Sequence, residues 1–363
     1  MKNFRLKTID LYIIKKFLGT FFFSLAMIMA IVIIFDVAEK LDDFMEKDVS
    51  WNQIIFVYYL NFIPYFANFF SPLFVFISVI FFTSKLTGDS EIVAILTSGV
   101  SYRRLMYPYF ISALFLATLS FILTGYVIPE ANKKRIAFEY EYVYHRGGFS
   151  ARNVHKQVEP GVYVYLESYD NSRDIGYKFS IEKFDKKELV SKLIADRISW
   201  DSTKNKWTVK NYYIRDYKGK EELITSGNSI DTALNLKPSD FKRVERSIET
   251  LNAKELSKFI IDQEMKGDDK IESYKVEEYR RLAFPFSTFI LTLIGVSLST
   301  QKRRGGTGLN IGIGLSLSFL YILFMQVFTE LAKAGTVPSL LGVWIPNILF
   351  FGVGIFLYLI APK

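Results

Sequence analysis

The sequence predicts a membrane α-helical protein in which an all-β domain, jellyroll-like, is inserted between two sets of three transmembrane helices. Three observations lead there. Apolar runs lie at about 11–35, 52–83, 105–128, 283–300, 308–332 and 340–361, each close to or above the roughly 20 residues that cross a bilayer. A polar stretch, about 129–282, separates the third run from the fourth, and its first part alternates β-branched and aromatic residues. The composition is 50% hydrophobic yet 23% charged, as expected when spans and a polar domain share one chain.

The first span follows Lys2, Arg5, Lys7, Lys15 and Lys16. Its apolar run is too long for a signal peptide and ends in no small-x-small site, so an anchor is expected. The loop after it is acidic, with Asp36, Glu39, Asp42, Asp43, Glu46 and Asp48 against Lys40 and Lys47. The second run is long and contains Pro64 and Pro72, which suits a kinked or tilted helix with an aromatic start at the interface. Basic residues cluster between spans two and three (Lys85, Arg103, Arg104), between four and five (Lys302, Arg303, Arg304), and at Lys363. By the positive-inside rule both termini are cytoplasmic and the large polar domain lies on the other side. The net charge of +8 is thus a topological signal rather than a nucleic-acid surface.

Within the polar domain, "GVYVYLES" (Gly161–Ser168), "GYKFSIEKF" (Gly176–Phe184), "ELVSKLIADRISW" and "KWTVKNYYIRDY" read as strands. Turn residues separate them, at Asp170-Asn171-Ser172 and from Asp201 to Asn205. A sandwich, jelly roll or open barrel is expected. "NAKELSKFIIDQEMKG" then places Leu256, Phe259 and Ile260 on one helical face, with Gly267 able to end the helix. The resulting domains are 1–128 (spans one to three), 129–250 (β domain), 251–282 (connecting helix and lead-in) and 283–363 (spans four to six).

Several chemistries are missing from the sequence. No G-x-x-x-x-G-K-[ST] loop occurs, and "GGTGLNIGIG" (Gly305–Gly314) opens a span without the lysine. Its Gly308 and Gly312 instead form a G-x-x-x-G suited to close helix packing. No zincin or nucleophile-elbow motif is present. With His145 and His155 the only histidines and no cysteine, no metal site is expected. The chain reads as a non-enzyme with no catalytic residues.

One short segment, "KLTGDSEIVAILTSGVSYRRL", lies between spans two and three. Asp89 can cap a helix over about 89–99, and Glu91 suits its first turn. Ile92, Ile95 and Leu96 form an apolar stripe, and Gly99 is a natural stop. Two readings are open. The helix rests on lipid headgroups, or its stripe enters a groove on a cytoplasmic partner.

This segment, "DSEIVAILTSGVSYRRLMYP", resembles that of the LptF/LptG permeases, membrane subunits of the lipopolysaccharide-export ABC transporter. "EEYRRLAFPFSTFILTLIGVSLSTQKRRGG" and "AKAGTVPSLLGVWIPNILF" resemble the same family, as does the order of three spans, β domain and three spans. The resemblance implies an inner-membrane subunit of a Gram-negative bacterium that binds no cofactor itself. ATP and Mg would be held by a separate cytoplasmic ATPase dimer, docked on Asp89, Glu91, Ile92, Ile95, Leu96 and Gly99. It further implies pairing with a second permease, spans one and five lining a lipopolysaccharide cavity, and a single-span bridge subunit.

A phosphorylated lipid needs cations at headgroup depth, and Lys40, Arg280, Arg281 and Lys333 stand at outer span ends. Lys40 could equally pair with Asp36 or Glu39, and the arginines with Glu277 and Glu278. Val162, Val164 and Leu166 would line an acyl-chain groove in the β domain, or simply fill a closed core. A mechanotransmission subunit that moves its outer domain without passing lipid is the alternative function. An ion-coupled transporter fits less well, because the charges gather at span ends rather than at the midplane.

Overall fold

The structure, a computed structural model, describes residues 7–143, 150–170, 173–186, 188–202, 204–218, 221–232, 234, 236–238, 248–268, 270–300 and 306–361. Lys2, Arg5, Lys302, Arg303, Arg304, Lys363, His145, Gly305 and the turn residues Asn171, Ser172 and Thr203 lie outside the described residues. The chain divides into two compact units, Met1–Val143 with Glu272–Lys363, and Tyr144–Ile271.

The first unit holds six helices long and apolar enough to cross a membrane, as the sequence predicts. They are α1 (Thr8–Glu46), α2 (Gln53–Gly88), α4 (Tyr102–Val143), α6 (Ile271–Ser299), α7 (Gly306–Lys333) and α8 (Ser339–Ile360). Between α2 and α4 sits the short α3 (Glu91–Thr97). Two spans outrun their apolar stretches. At about 1.5 Å per residue, α1 and α4 reach roughly 60 Å, twice the bilayer core. α4 continues past the apolar run through Ile128–Phe138 and the π-helical turns Leu123–Val127 and Glu139–Val143. Helix-forming residues such as Glu130, Lys133 and Arg135 carry it on after apolarity ends.

Polar side chains tie the spans where no water competes. The Thr87 hydroxyl donates to the Ser299 carbonyl at 2.7 Å, and Thr83 donates to the Tyr109 hydroxyl at 3.0 Å. Ser120 donates to Asn68 at 2.7 Å. Phe17, Val75, Phe76, Val79 and Ile294 are fully buried in the apolar clusters of this unit. α6 is the central helix, with 78% of its most apolar window buried, against 22% for α1 and 17% for α7.

Close packing falls on glycines other than the predicted pair. A Cβ on Gly308 or Gly312 would meet nothing within 4 Å among the described residues, so that G-x-x-x-G face is not packed against them. A Cβ on Gly342 would instead stand 2.5 Å from the Ala332 Cβ and 3.0 Å from the Phe328 carbonyl oxygen. Only the lack of a side chain lets α8 approach α7 there.

The second unit is a six-stranded antiparallel sheet in the order β1 to β6, each strand pairing its sequence neighbour. The strands are β1 (Ser150–Glu159), β2 (Val162–Asp170), β3 (Ile175–Asp185), β4 (Glu188–Asp201), β5 (Lys206–Lys218) and β6 (Glu221–Thr232). The four strands expected from alternation are β2 to β5. The register aligns Leu166 with Phe179 and Phe179 with Ala195, so one face becomes a continuous apolar core that also takes in Ile198, Trp207 and Val209. Trp207 donates its indole N–H to the Leu236 carbonyl at 2.8 Å. Tyr169 is buried beside Asp174, and burial followed by that carboxylate pushes its hydroxyl pKa up.

After the sheet, α5 (Ala253–Met265) opens on a reciprocal cap. Asn252 accepts from the Glu255 amide at 3.0 Å, and Glu255 accepts from the Asn252 amide at 2.9 Å. Leu256 and Ile260 are buried, as their spacing predicts, and Gly267 follows at φ 62°.

Gly342→Val should cost about 1–3 kcal/mol through forced separation of α7 and α8. Gly308→Val and Gly312→Val should leave thermal denaturation of the detergent-solubilised chain unchanged. A destabilised Gly308→Val chain would contradict the packing described here.

Candidate functional site

The short helix α3 exists because α2 ends at Gly88 and the chain turns sharply. Asp89 is the C-terminal cap of α2, its amide donating to the Lys85 carbonyl at 2.9 Å. The N-cap of α3 is Ser90, in the left-handed region at φ 61° and with no side-chain capping bond. The expected cap role of Asp89 is therefore corrected, because the turn occupies that residue. Gly99 does follow the helix at φ 87°, its amide bonded to the Leu96 carbonyl at 3.1 Å.

The apolar stripe points inward. Ile92 is fully buried with Ile13, Phe17, Leu86, Tyr102 and Leu105, and Ile95 and Leu96 pack against the same cluster. Ile92 is thus taken up by the core, while Ile95 and Leu96 are only partly buried and keep some exposed surface. Glu91 is half-buried. What α3 presents outward is Val93, Ala94, Thr97 and Ser98.

Near α3, Arg104 at the start of α4 grips Asp10 of α1 in a two-pronged ion pair of 2.7 and 2.5 Å, with Asp10 only 1% exposed. Asp10 also accepts from the Lys7 amide at 2.7 Å. The sequence marked Arg104 only as a topological charge. Nothing local signals a partner so far along the chain.

At the opposite end of α1, Lys40 is enclosed. It donates to Asp36 at 2.6 Å and to the Tyr58 hydroxyl, lies 4.8 Å from the Tyr58 ring centroid, and stands 3.9 Å from Glu139. The Tyr58 hydroxyl is 3.4 Å from both Asp36 and Glu139, and Tyr59 donates to Asp36 at 3.1 Å. Phe44, Phe62 and Phe138 surround this network. The i, i+4 pairing of Asp36 with Lys40 was legible in the sequence. The parts played by Tyr58, Tyr59 and Glu139 were not.

The remaining cations also have acidic neighbours. Arg280 and Arg281 both bond to Glu277, at 2.6 and 3.0 Å, and Lys333 pairs with Glu330 at 2.9 Å. Val164 and Leu166 are 2% and 0% exposed inside the apolar core of the sheet, with Val162 packed at its margin. Val164 also lines a cavity of about 360 Å³ with His155, Tyr163, Tyr165, Ser180 and Glu182.

Lys40→Met would strand two carboxylates beside aromatic rings and should cost about 3 kcal/mol, part of it regained in Asp36→Asn/Lys40→Met. In α3, Ile92→Ala should cost about 2–4 kcal/mol, while Val93→Ala should change stability by less than about 0.5 kcal/mol. Thermal melting in detergent tests both, and equal effects at 92 and 93 would refute the inward orientation of the stripe.

Comparison with known proteins follows the same architecture. The family model for the lipopolysaccharide export system permease LptF/LptG matches residues 11–360. The lipopolysaccharide export system permease protein LptG of Haemophilus influenzae is 22% identical over 354 residues, covering 95% of this chain and 96% of that protein. The chain thus belongs to the LptF/LptG family, multi-pass inner-membrane transport subunits with a permease role in lipopolysaccharide export.

Proposed function

We propose that this chain is one half of a paired permease that extracts lipopolysaccharide from the outer leaflet of the inner membrane. It is driven by a separate cytoplasmic ABC ATPase dimer, which binds ATP and Mg. The observation that carries this is the family match from residue 11 to 360, which spans both the helical unit and the β unit. In this reading both termini are cytoplasmic and the sheet is periplasmic, as the distribution of lysine and arginine supports. The β domain receives the lipid and passes it through a single-span bridge subunit toward the outer membrane.

Two structural features support the mechanism. α1 and α7 are the least covered spans and present Phe22, Met27, Ile34, Phe319 and Leu323 outward. Such faces suit a cavity shared with a second permease. The ATPase meets the outward residues Val93, Ala94 and Thr97 rather than the buried Ile92. A push on α3 is then passed through Ile92 to α1 and α4, since all three share one apolar core. Phosphate contacts fall to Arg280 and Lys333, the more exposed cations, which would exchange Glu277 and Glu330 for the headgroup.

The test is affinity purification from detergent-solubilised membranes with mass spectrometry of retained proteins and lipids. An ABC ATPase should accompany the native chain and be lost from Val93→Asp/Thr97→Lys, while lipopolysaccharide stays bound. Full ATPase retention by that variant, or no lipopolysaccharide on any form, would overturn the mechanism. Bound ATPase without lipid would favour the mechanotransmission alternative.

A further inference from the structure

On the outward side of α1, one turn beyond the Asp10–Arg104 pair, a cavity of about 610 Å³ opens between α1 and α2. Lys15 and Lys16 stand at its rim, Tyr12 closes one end, and Gly19, Phe23 and Phe81 form its apolar floor. Phe23 and Phe81 are 68% and 50% exposed, so the floor is left uncovered by the described residues. Gly19 has no atom within 4 Å of where its Cβ would be, which keeps the floor open.

The two lysines differ from the cations described above. Lys40, Arg104, Arg280, Arg281 and Lys333 each hold a carboxylate. Lys15 and Lys16 have no carboxylate partner among the described residues. Lys16 lies over the Tyr12 ring at 5.9 Å. The Thr20 hydroxyl donates to the Lys16 carbonyl at 2.8 Å. Glu91 and Asp89 both act on the Tyr12 hydroxyl, and among the described residues neither forms an ion pair with Lys15 or Lys16. Two unpaired cations directly above an exposed apolar floor, at the start of a span, match a phosphodiester headgroup with acyl chains beneath it.

We propose that this groove binds an anionic glycerophospholipid of the phosphatidylglycerol type. Lys15 and Lys16 hold the phosphate, and the chains lie along Gly19, Phe23 and Phe81. Its volume falls in the range of specific ligand sites. The site stands at the opposite end of α1 from Lys40 and does not depend on the lipopolysaccharide reading. Either could fail without the other.

The experiment is native mass spectrometry of the full chain, delipidated in detergent and titrated with phosphatidylglycerol or zwitterionic phosphatidylcholine. One phosphatidylglycerol per chain should be retained with a preference of roughly tenfold or more, from two lysines near the headgroup. Lys15→Gln/Lys16→Gln should abolish the preference. Gly19→Leu, which fills the floor without changing charge, should lose the lipid as well, while Lys85→Gln, outside the groove, should keep it. Elution and melting profiles confirm that each variant is folded.

Equal retention of both lipids, or an unchanged preference in the double lysine variant, overturns the proposal. Displacement of the lipid by millimolar inorganic phosphate would also overturn it, since it would show an anion site without a lipid groove. So would loss of the lipid when a second permease is added, which would make the groove an inter-permease contact.

Discussion

Helix α1 is clamped by charge near both of its ends. Only 22% of its most apolar window is buried, and Ile13, Phe17, Phe21, Met29 and Phe44 are the apolar residues that turn inward along it. The Asp10–Arg104 pair fixes one end to α4, and the Asp36–Lys40–Tyr58–Glu139 network fixes the other to α2 and α4. In surroundings poor in water a carboxylate without partners is expensive, and each cluster has effectively one arrangement that satisfies it. The exposed apolar face of α1, including the groove below Lys15 and Lys16, is set by these two constraints.

The same economy explains α3. A seven-residue helix cannot stand alone in water, and its formation depends on burying one face. Ile92, Ile95 and Leu96 do that against α1, α2 and α4. Ile92 therefore serves the fold, while Val93, Ala94, Thr97 and Ser98 are left exposed. This gives α3 mechanical purchase, because displacing it displaces residues in the core shared by three spans.

The β unit illustrates which strands can be read from sequence. β2 to β5 alternate because each has one face in the core around Leu166, Phe179, Ala195 and Trp207. β6 is exposed along nearly all of its length, and β1 carries Arg152, His155, Lys156 and Gln157, so neither shows clear alternation. Edge strands rich in polar residues resist unwanted pairing, which is also why they read as loops. Helix ends were obscured for a related reason. α4 outlasts its apolar run because helix propensity continues where hydrophobicity stops.

By itself the sequence determined the six spans, their grouping around a β insert, four of the six strands and the presence of a short helix at Glu91. Those features arise from composition and periodicity over neighbouring residues, which local physics suffices to read. The tertiary structure decided which side of α3 is free, which partners Lys40 and Arg104 take, and which glycines permit close approach. Asp10 and Arg104 are 94 residues apart, and Tyr58 and Glu139 are 81 apart. Pairings at that distance depend on how whole helices are stacked and rotated, and no spacing within a single segment encodes them.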